Sequence, residues 1–134
     1  MAKVHISVPW MPKALSPNSR VNVFGKANAF KKYKNDVFLM VRSRMRGMTP
    51  VRHPHPLYPD GRVHIDLQFF PPARYNYDED NMVASFKAGA DGIRDAIGID
   101  DHWYHYTQDV GGSIVKGGCV LITFEVEDGM QDCG

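Results

Sequence analysis

Val4 to Val8 alternates apolar and polar residues, the period-two pattern of a half-buried strand. The same alternation is clearest from Val63 to Phe70, where Val63, Ile65, Leu67 and Phe69 are separated by His64, Asp66 and Gln68, and Pro71-Pro72 stops the run. Between these strands the pattern changes period. Phe30, Tyr33, Val37, Met40, Val41 and Met45 recur at helical spacing and predict a helix from Asn28 to Arg46, capped by Asn28 and ended at Gly47. Pro9 to Lys26 and Thr49 to Gly61 read as irregular, being rich in proline, asparagine and glycine. A second helix is expected over Asn81–Ala96, with Gly98 just past its end. Two last strands, Val110–Lys116 and Cys119–Val126, read as a pair joined at Gly117-Gly118. The order β-α-β-α-β-β predicts an α+β fold, a small mixed sheet with two main helices packed on it.

The chain has 134 residues, 43% of them hydrophobic and 23% charged, which fits one ordinary domain and excludes a disordered or disulfide-built class. We expect that domain over residues 1–127 and a short tail over 128–134. No apolar run approaches the ~20 residues of a membrane span, and the start lacks a secretory pattern, so a cytoplasmic protein without membrane contact is expected. Cys119 and Cys133 form no framework and are read as reduced thiols.

Net charge of +1 hides a division along the chain. Residues 1–62 hold twelve Lys/Arg against two acids, and residues 63–134 hold four against thirteen. A basic half fits a polyanionic partner, and an acidic half fits a cation site. Mutual compensation across one surface is the plainer alternative.

Asp78-Glu79-Asp80-Asn81 lies between a strand and a helix, and Asp100-Asp101 follows that helix. In extended chain the two-residue period would turn Asp78 and Asp80 to one side. Paired carboxylates repel unless a cation or a proton neutralises them, and oxygen donors suit Mg²⁺ or Mn²⁺. Against this, Asp80 is equally read as a helix cap and Asp100-Asp101 as a solvated turn.

From Asp78 to Asp101 the chain resembles the RusA family of Holliday junction resolvases, particularly phage-type members. The matching features are D-x-D-N at Asp78–Asn81, the helical Lys87, the Asp91-Gly92-Ile93 step and the closing Asp100-Asp101. Leu15–Arg20 is similar to that family's N-terminal loop, and Phe70–Arg74 to the approach to its acidic motif. The resemblance spans roughly residues 4–126. It implies Mg²⁺-dependent hydrolysis of branched DNA, specifically four-way junctions, by a homodimer making paired nicks, with no nucleotide cofactor. A phage or prophage source in a bacterial cell is implied as well. By motif position Asp78, Asp80 and Asp101 are the catalytic carboxylates, Asp100 joins them on the metal, and Lys87 stabilises phosphate charge. The alternative role for Lys87 is an i,i+4 pair with Asp91. Phosphate contacts are expected from Lys13, Arg20, Lys26, Lys31, Lys32 and Lys34, and backbone contact or base stacking from Arg74, Tyr75 and Tyr77. The alternatives in function are a branched-DNA-binding protein that cuts nothing, and a metal-dependent nuclease acting on flaps or RNA.

A sixteen-residue helix is about 24 Å long and would hold Asp80 and Asp101 far apart. Either the helix bends, with Gly89 and Gly92 as weak points, or a second subunit supplies Asp101. Ala84, Ala88, Gly92 and Ala96 form a small-residue row that fits a dimer centred on this helix, or packing on the subunit's own sheet. Phe86, Ile93 and Ile97 are expected to bury against the sheet. His53, His55, His102 and His105 are read as isolated surface histidines in preference to a zinc site. Trp103, Tyr104 and Tyr106 read as core or dimer contacts.

Overall fold

The computed structural model describes residues 2–17, 19–73, 79–98, 104–110 and 113–128. Its elements run β1 (Ala2–Pro9), α1 (Val23–Met45), β2 (Met48–Pro50), β3 (Arg52–His55), β4 (Tyr58–Phe70), α2 (Glu79–Ser85), α3 (Lys87–Ile97), β5 (Tyr104–Val110) and β6 (Cys119–Asp128). This is an α+β arrangement with one six-stranded mixed sheet among the described residues. No helix among them is long and apolar enough to cross a membrane.

β6 is the hub of the sheet. Ile122 pairs with Ile6 of β1 on one side and Leu67 of β4 on the other, both antiparallel. Further along, Val126 pairs with Ala2 and with Pro50 of β2, so β2 takes over the edge that β4 leaves. β4 has two borders as well. Val63 pairs with Arg52 of β3 on one and, in parallel, with Tyr104 of β5 on the other. The β2–β3 segment therefore fills the fork where β4 and β6 separate.

One face of the sheet carries the core. Val4, Ile6 and Val8, then Val63, Ile65, Leu67 and Phe69, then Val120, Ile122, Phe124 and Val126 are all buried. Tyr33, Val37, Val41 and Met45 recur every four residues on α1 and bury the matching stripe, with Phe86, Ala88, Ile93 and Ala96 from the α2–α3 segment. Phe86 meets Phe69 edge-on at 5.8 Å between ring centres and Tyr33 at 6.2 Å, which locks the crossover onto both sheet and α1. The Tyr33 hydroxyl donates to the Pro9 carbonyl at 2.5 Å, tying α1 to the end of β1.

Several expectations are corrected. α1 starts at Val23, and its cap is Asn22, not Asn28: the Asn22 side chain accepts from the Gly25 amide at 2.7 Å. The proline-rich stretch is not a loop. It holds β2, β3 and the start of β4, with Pro54 in β3 where the register shifts between His53 and His55, the position a missing N–H tolerates. The strand placed at Val110–Lys116 is Tyr104–Val110 instead, and it does not form a hairpin with β6, because β4 lies between them. Tyr104 is a core residue, as expected, while Trp103 and His102 lie outside the described residues. Asp128, assigned to the tail, still pairs with Met48, and 129–134 are outside the described residues.

Candidate functional site: the α2–α3 crossover, its cleft and the open sheet face

The expected single helix over Asn81–Ala96 is two helices. The break falls at Phe86, not at Gly89 or Gly92: its backbone lies at φ −87°, ψ 3°, and its amide is shared between the carbonyls of Met82 and Val83 at 3.0 and 3.1 Å. The buried ring wedged between Phe69 and Tyr33 fixes where the chain turns. α3 ends as expected, with Gly98 in the left-handed region at φ 76° and its amide on the Arg94 carbonyl.

Of the catalytic set, Asp80 and Lys87 are described, whereas Asp78, Asp100 and Asp101 lie outside the described residues, as do Arg74, Tyr75 and Tyr77. Asp80 is exposed in the first turn of α2, where the helix dipole favours a carboxylate. Lys87 is exposed at the start of α3 and has no ion-pair partner among the described residues. Its possible partner Asp91 instead meets Arg94 at 3.5 Å, so the i,i+4 role for Lys87 is not formed. The crossover starts beyond Phe70, at the end where Phe69 pairs with Val110. Gly98 hands the chain back to Tyr104, which pairs with Val63 at the other end of the same two strands.

Three of the four small-residue positions offer no surface to a second copy. Ala88, Gly92 and Ala96 are buried, and Gly92 faces the backbone of α1 at Lys34 and Phe38. Gly92 thus packs on α1 within the chain, whereas Ala84 is exposed at the cleft described below.

Eight basic side chains lie on α1 and the preceding loop, among them the six expected to contact phosphate. Lys13, Arg20 and Lys31 are exposed and Lys26 is half-exposed, and none of the four has an ion-pair partner among the described residues. Lys32 meets Asp36 at 3.0 Å, and Lys34 meets Asp95 of α3 at 3.2 Å. Part of the charge division is thus compensated locally. Lys31, Lys32, Lys34, Asn28 and Asn35 line a groove of about 470 Å³ along α1.

A second, larger cleft of about 660 Å³ lies between the N-terminal loop and the crossover. Leu15, Ser16 and Pro17 line it together with Lys26 and Phe30 of α1 and Ala84 of α2. Ala84 lies four residues after Asp80, one helical turn along the same side of α2.

The sheet face opposite the helices carries a feature that sequence reading missed. Strand register turns His64 and His105, direct partners on β4 and β5, to the same side, with ring centres 5.1 Å apart. His53 stacks on His64 at 4.5 Å and 20°, and His55 stands 6.1 Å from His105. His53 Nε2 lies 3.7 Å from Glu125 Oε1. These histidines are not isolated. Partial desolvation, then the charges of His53, His105 and His55 when protonated, hold the His64 imidazole below its ordinary pKa, and Glu125 opposes them. The only sequence signal was the even spacing of His53 and His55, and of His64 within its alternating strand.

No protein-family model matches the chain. An uncharacterized protein of Xylella fastidiosa (strain Temecula1) is 35% identical to it over 118 residues, which are 88% of this chain and 73% of the relative. On that extent of identity, the chain belongs to the same family as the Xylella fastidiosa protein.

Proposed function

We propose that the chain is a Mg²⁺-dependent, structure-selective DNA endonuclease of the RusA type, resolving four-way junctions as a homodimer in the cytoplasm of a bacterial cell. One observation carries the reading. The two stretches that resemble that family, the Leu15–Arg20 loop and the acidic crossover, meet across one cleft, with Leu15–Pro17 on one side and Ala84 on the other. Asp80 stands one helical turn before Ala84 on α2.

The donors assigned to the ion are oxygens only, Asp80 with Asp78, Asp100 and Asp101, and such a set suits Mg²⁺ or Mn²⁺ better than a softer metal. When bound, the ion would activate a water and offset charge on the phosphate. Lys87, unpaired among the described residues, would bring a fixed positive charge to the same phosphate. Lys13, Arg20, Lys26 and Lys31 would hold the backbone without reading bases, and Lys32 and Lys34 would join them only by leaving Asp36 and Asp95. Arg74 and Tyr75 adjoin the acidic motif in sequence and would contact backbone or an unpaired base. Paired nicks in opposing strands need two sites, hence a dimer, and its interface must use a surface other than the buried Ala88, Gly92 and Ala96.

The test is incubation of the protein with a synthetic mobile four-way junction, with and without Mg²⁺, followed by mapping of the nicks. Symmetrical nicks near the branch that require the ion are the expected result. Cutting of a flap or RNA with the junction left whole assigns a different nuclease, and tight junction binding with no cutting in Mg²⁺ or Mn²⁺ assigns a binding protein.

A further inference from the structure

We propose that the open face of the sheet binds one divalent transition-metal ion of the Zn²⁺, Co²⁺ or Ni²⁺ class through His64, His105 and His55. The site is separate from the acidic crossover and does not rest on the nuclease reading. Neutral imidazole is a ligand for this class of ion, and the three residues come from β4, β5 and β3, strands whose pairing fixes their spacing. Imidazoles around a tetrahedral ion, with metal–nitrogen distances of about 2.0–2.1 Å, have ring centres about 5 Å apart. His64 and His105 already stand 5.1 Å apart, and His55 and His105 6.1 Å.

No three His, Cys, Asp or Glu side chains among the described residues are yet disposed to hold an ion, so the rings must turn to converge. His64 is exposed, and His55 and His105 are half-exposed on a face that none of the described helices covers. His55 Nδ1 accepts from the Leu57 amide at 3.1 Å, which leaves its Nε2 for the ion. His53 has a different part. Its ring lies nearly parallel to that of His64, so its nitrogens do not aim at a point the His64 ring addresses, and its edge is turned to Glu125 at 3.7 Å. It is a positioning residue that supports the His64 ring. Three imidazoles leave a fourth position for water or another small ligand.

The experiment titrates the full chain with Zn²⁺ by calorimetry and with Co²⁺ by visible absorption. The histidine ring resonances of the unmodified protein are followed by NMR in parallel. With Mg²⁺ in excess throughout to occupy the acidic segment, one transition-metal ion per chain is expected, with the tetrahedral Co²⁺ band and shifts of the His55, His64 and His105 resonances. His5, on the same face but bonded to Thr123 Oγ1 at 3.1 Å, should not move. His64→Gln and His105→Gln should each weaken binding at least tenfold. His5→Gln and Asp80→Asn should leave it unchanged. Absence of one-to-one binding, or binding that survives both histidine variants, overturns the site, and binding lost in Asp80→Asn but kept in His64→Gln reassigns the ion to the acidic segment. The NMR titration decides the matter should either histidine variant fail to fold. A failed junction-cutting assay leaves this result untouched, and the reverse also holds.

Discussion

Gly92 of α3 and Lys34 of α1 are in backbone contact: a Cβ built on Gly92 would stand 2.5 Å from the Lys34 carbonyl oxygen and 3.1 Å from the Phe38 amide nitrogen. Backbone on the far side cannot step aside as a flexible side chain would. Gly92→Ala should therefore destabilise the fold by about 1–3 kcal/mol, despite the ~1 kcal/mol that alanine otherwise gains in a helix. Urea unfolding should show a lower midpoint at unchanged slope.

Gly98 is the contrasting case. Nothing stands within 4 Å of its would-be Cβ, but its φ of 76° is one that side chains rarely adopt. Gly98→Ala should cost about 1 kcal/mol through backbone strain alone, and Gly98→Asn less, since asparagine tolerates that region. Thermal melts of the two variants side by side would show the order.

Asp80→Asn removes a charge from the acidic crossover without touching the basic loop or α1. Junction binding should persist in a gel shift, while cutting falls by about a thousand-fold, some 4 kcal/mol of barrier. Lys87→Ala should lower cutting by roughly a hundred-fold with the fold unperturbed, because its side chain is exposed and unpaired among the described residues.

Burial and, secondarily, the nearby Asp36 carboxylate push the Tyr33 phenol well above its ordinary pKa. The folded chain thus keeps the proton that the unfolded chain surrenders near pH ~10. Stability from this group is whole below that pH and declines as pH rises beyond it. Tyr33→Phe should lose about 1 kcal/mol at neutral pH, the worth of the bond to the Pro9 carbonyl, and should flatten the alkaline decline measured by urea unfolding from pH 8 to 11.

The Lys34–Asp95 pair joins α1 to α3 at the surface, both side chains more than a third exposed. Asp95→Asn should change stability by less than about 1 kcal/mol. Releasing Lys34 should also steepen the salt dependence of junction binding, by roughly one unit of log–log slope if that lysine then reaches a phosphate.

Where side-chain periodicity coincides with burial, the architecture was legible. The Val63–Phe70 part of β4 was read correctly because its four buried residues alternate with polar ones, though Tyr58–Gly61 of the same strand was read as irregular. The end of α3 was read because Gly98 sits where a left-handed cap is needed. The first turns of α1 were missed because Val23 and Phe24 are about 80% exposed, so no apolar stripe marks them. β2 and β3 were hidden by Pro50 and Pro54, which read locally as breakers but occupy a fork and a register shift. In the candidate site, Asp80 and Lys87 are singled out by motif spacing alone, and the structure describes where both lie without assigning them a role. The histidine cluster could not, because its members lie on three strands and only long-range register brings them together.

The opening strand's hydrogen-bonding partner is the closing one, Ala2 with Val126 and Val8 with Val120. At ~5–20 residues per second on the ribosome, the N-terminal segment waits roughly 6 to 25 seconds before its mate has been made. During that interval its apolar row of Val4, Ile6 and Val8 has α1, but not β6, to shelter against. Nascent-chain stalling just before Cys119 should accordingly yield a chaperone-bound, protease-sensitive species, and release of ten further residues should convert it to the resistant native form.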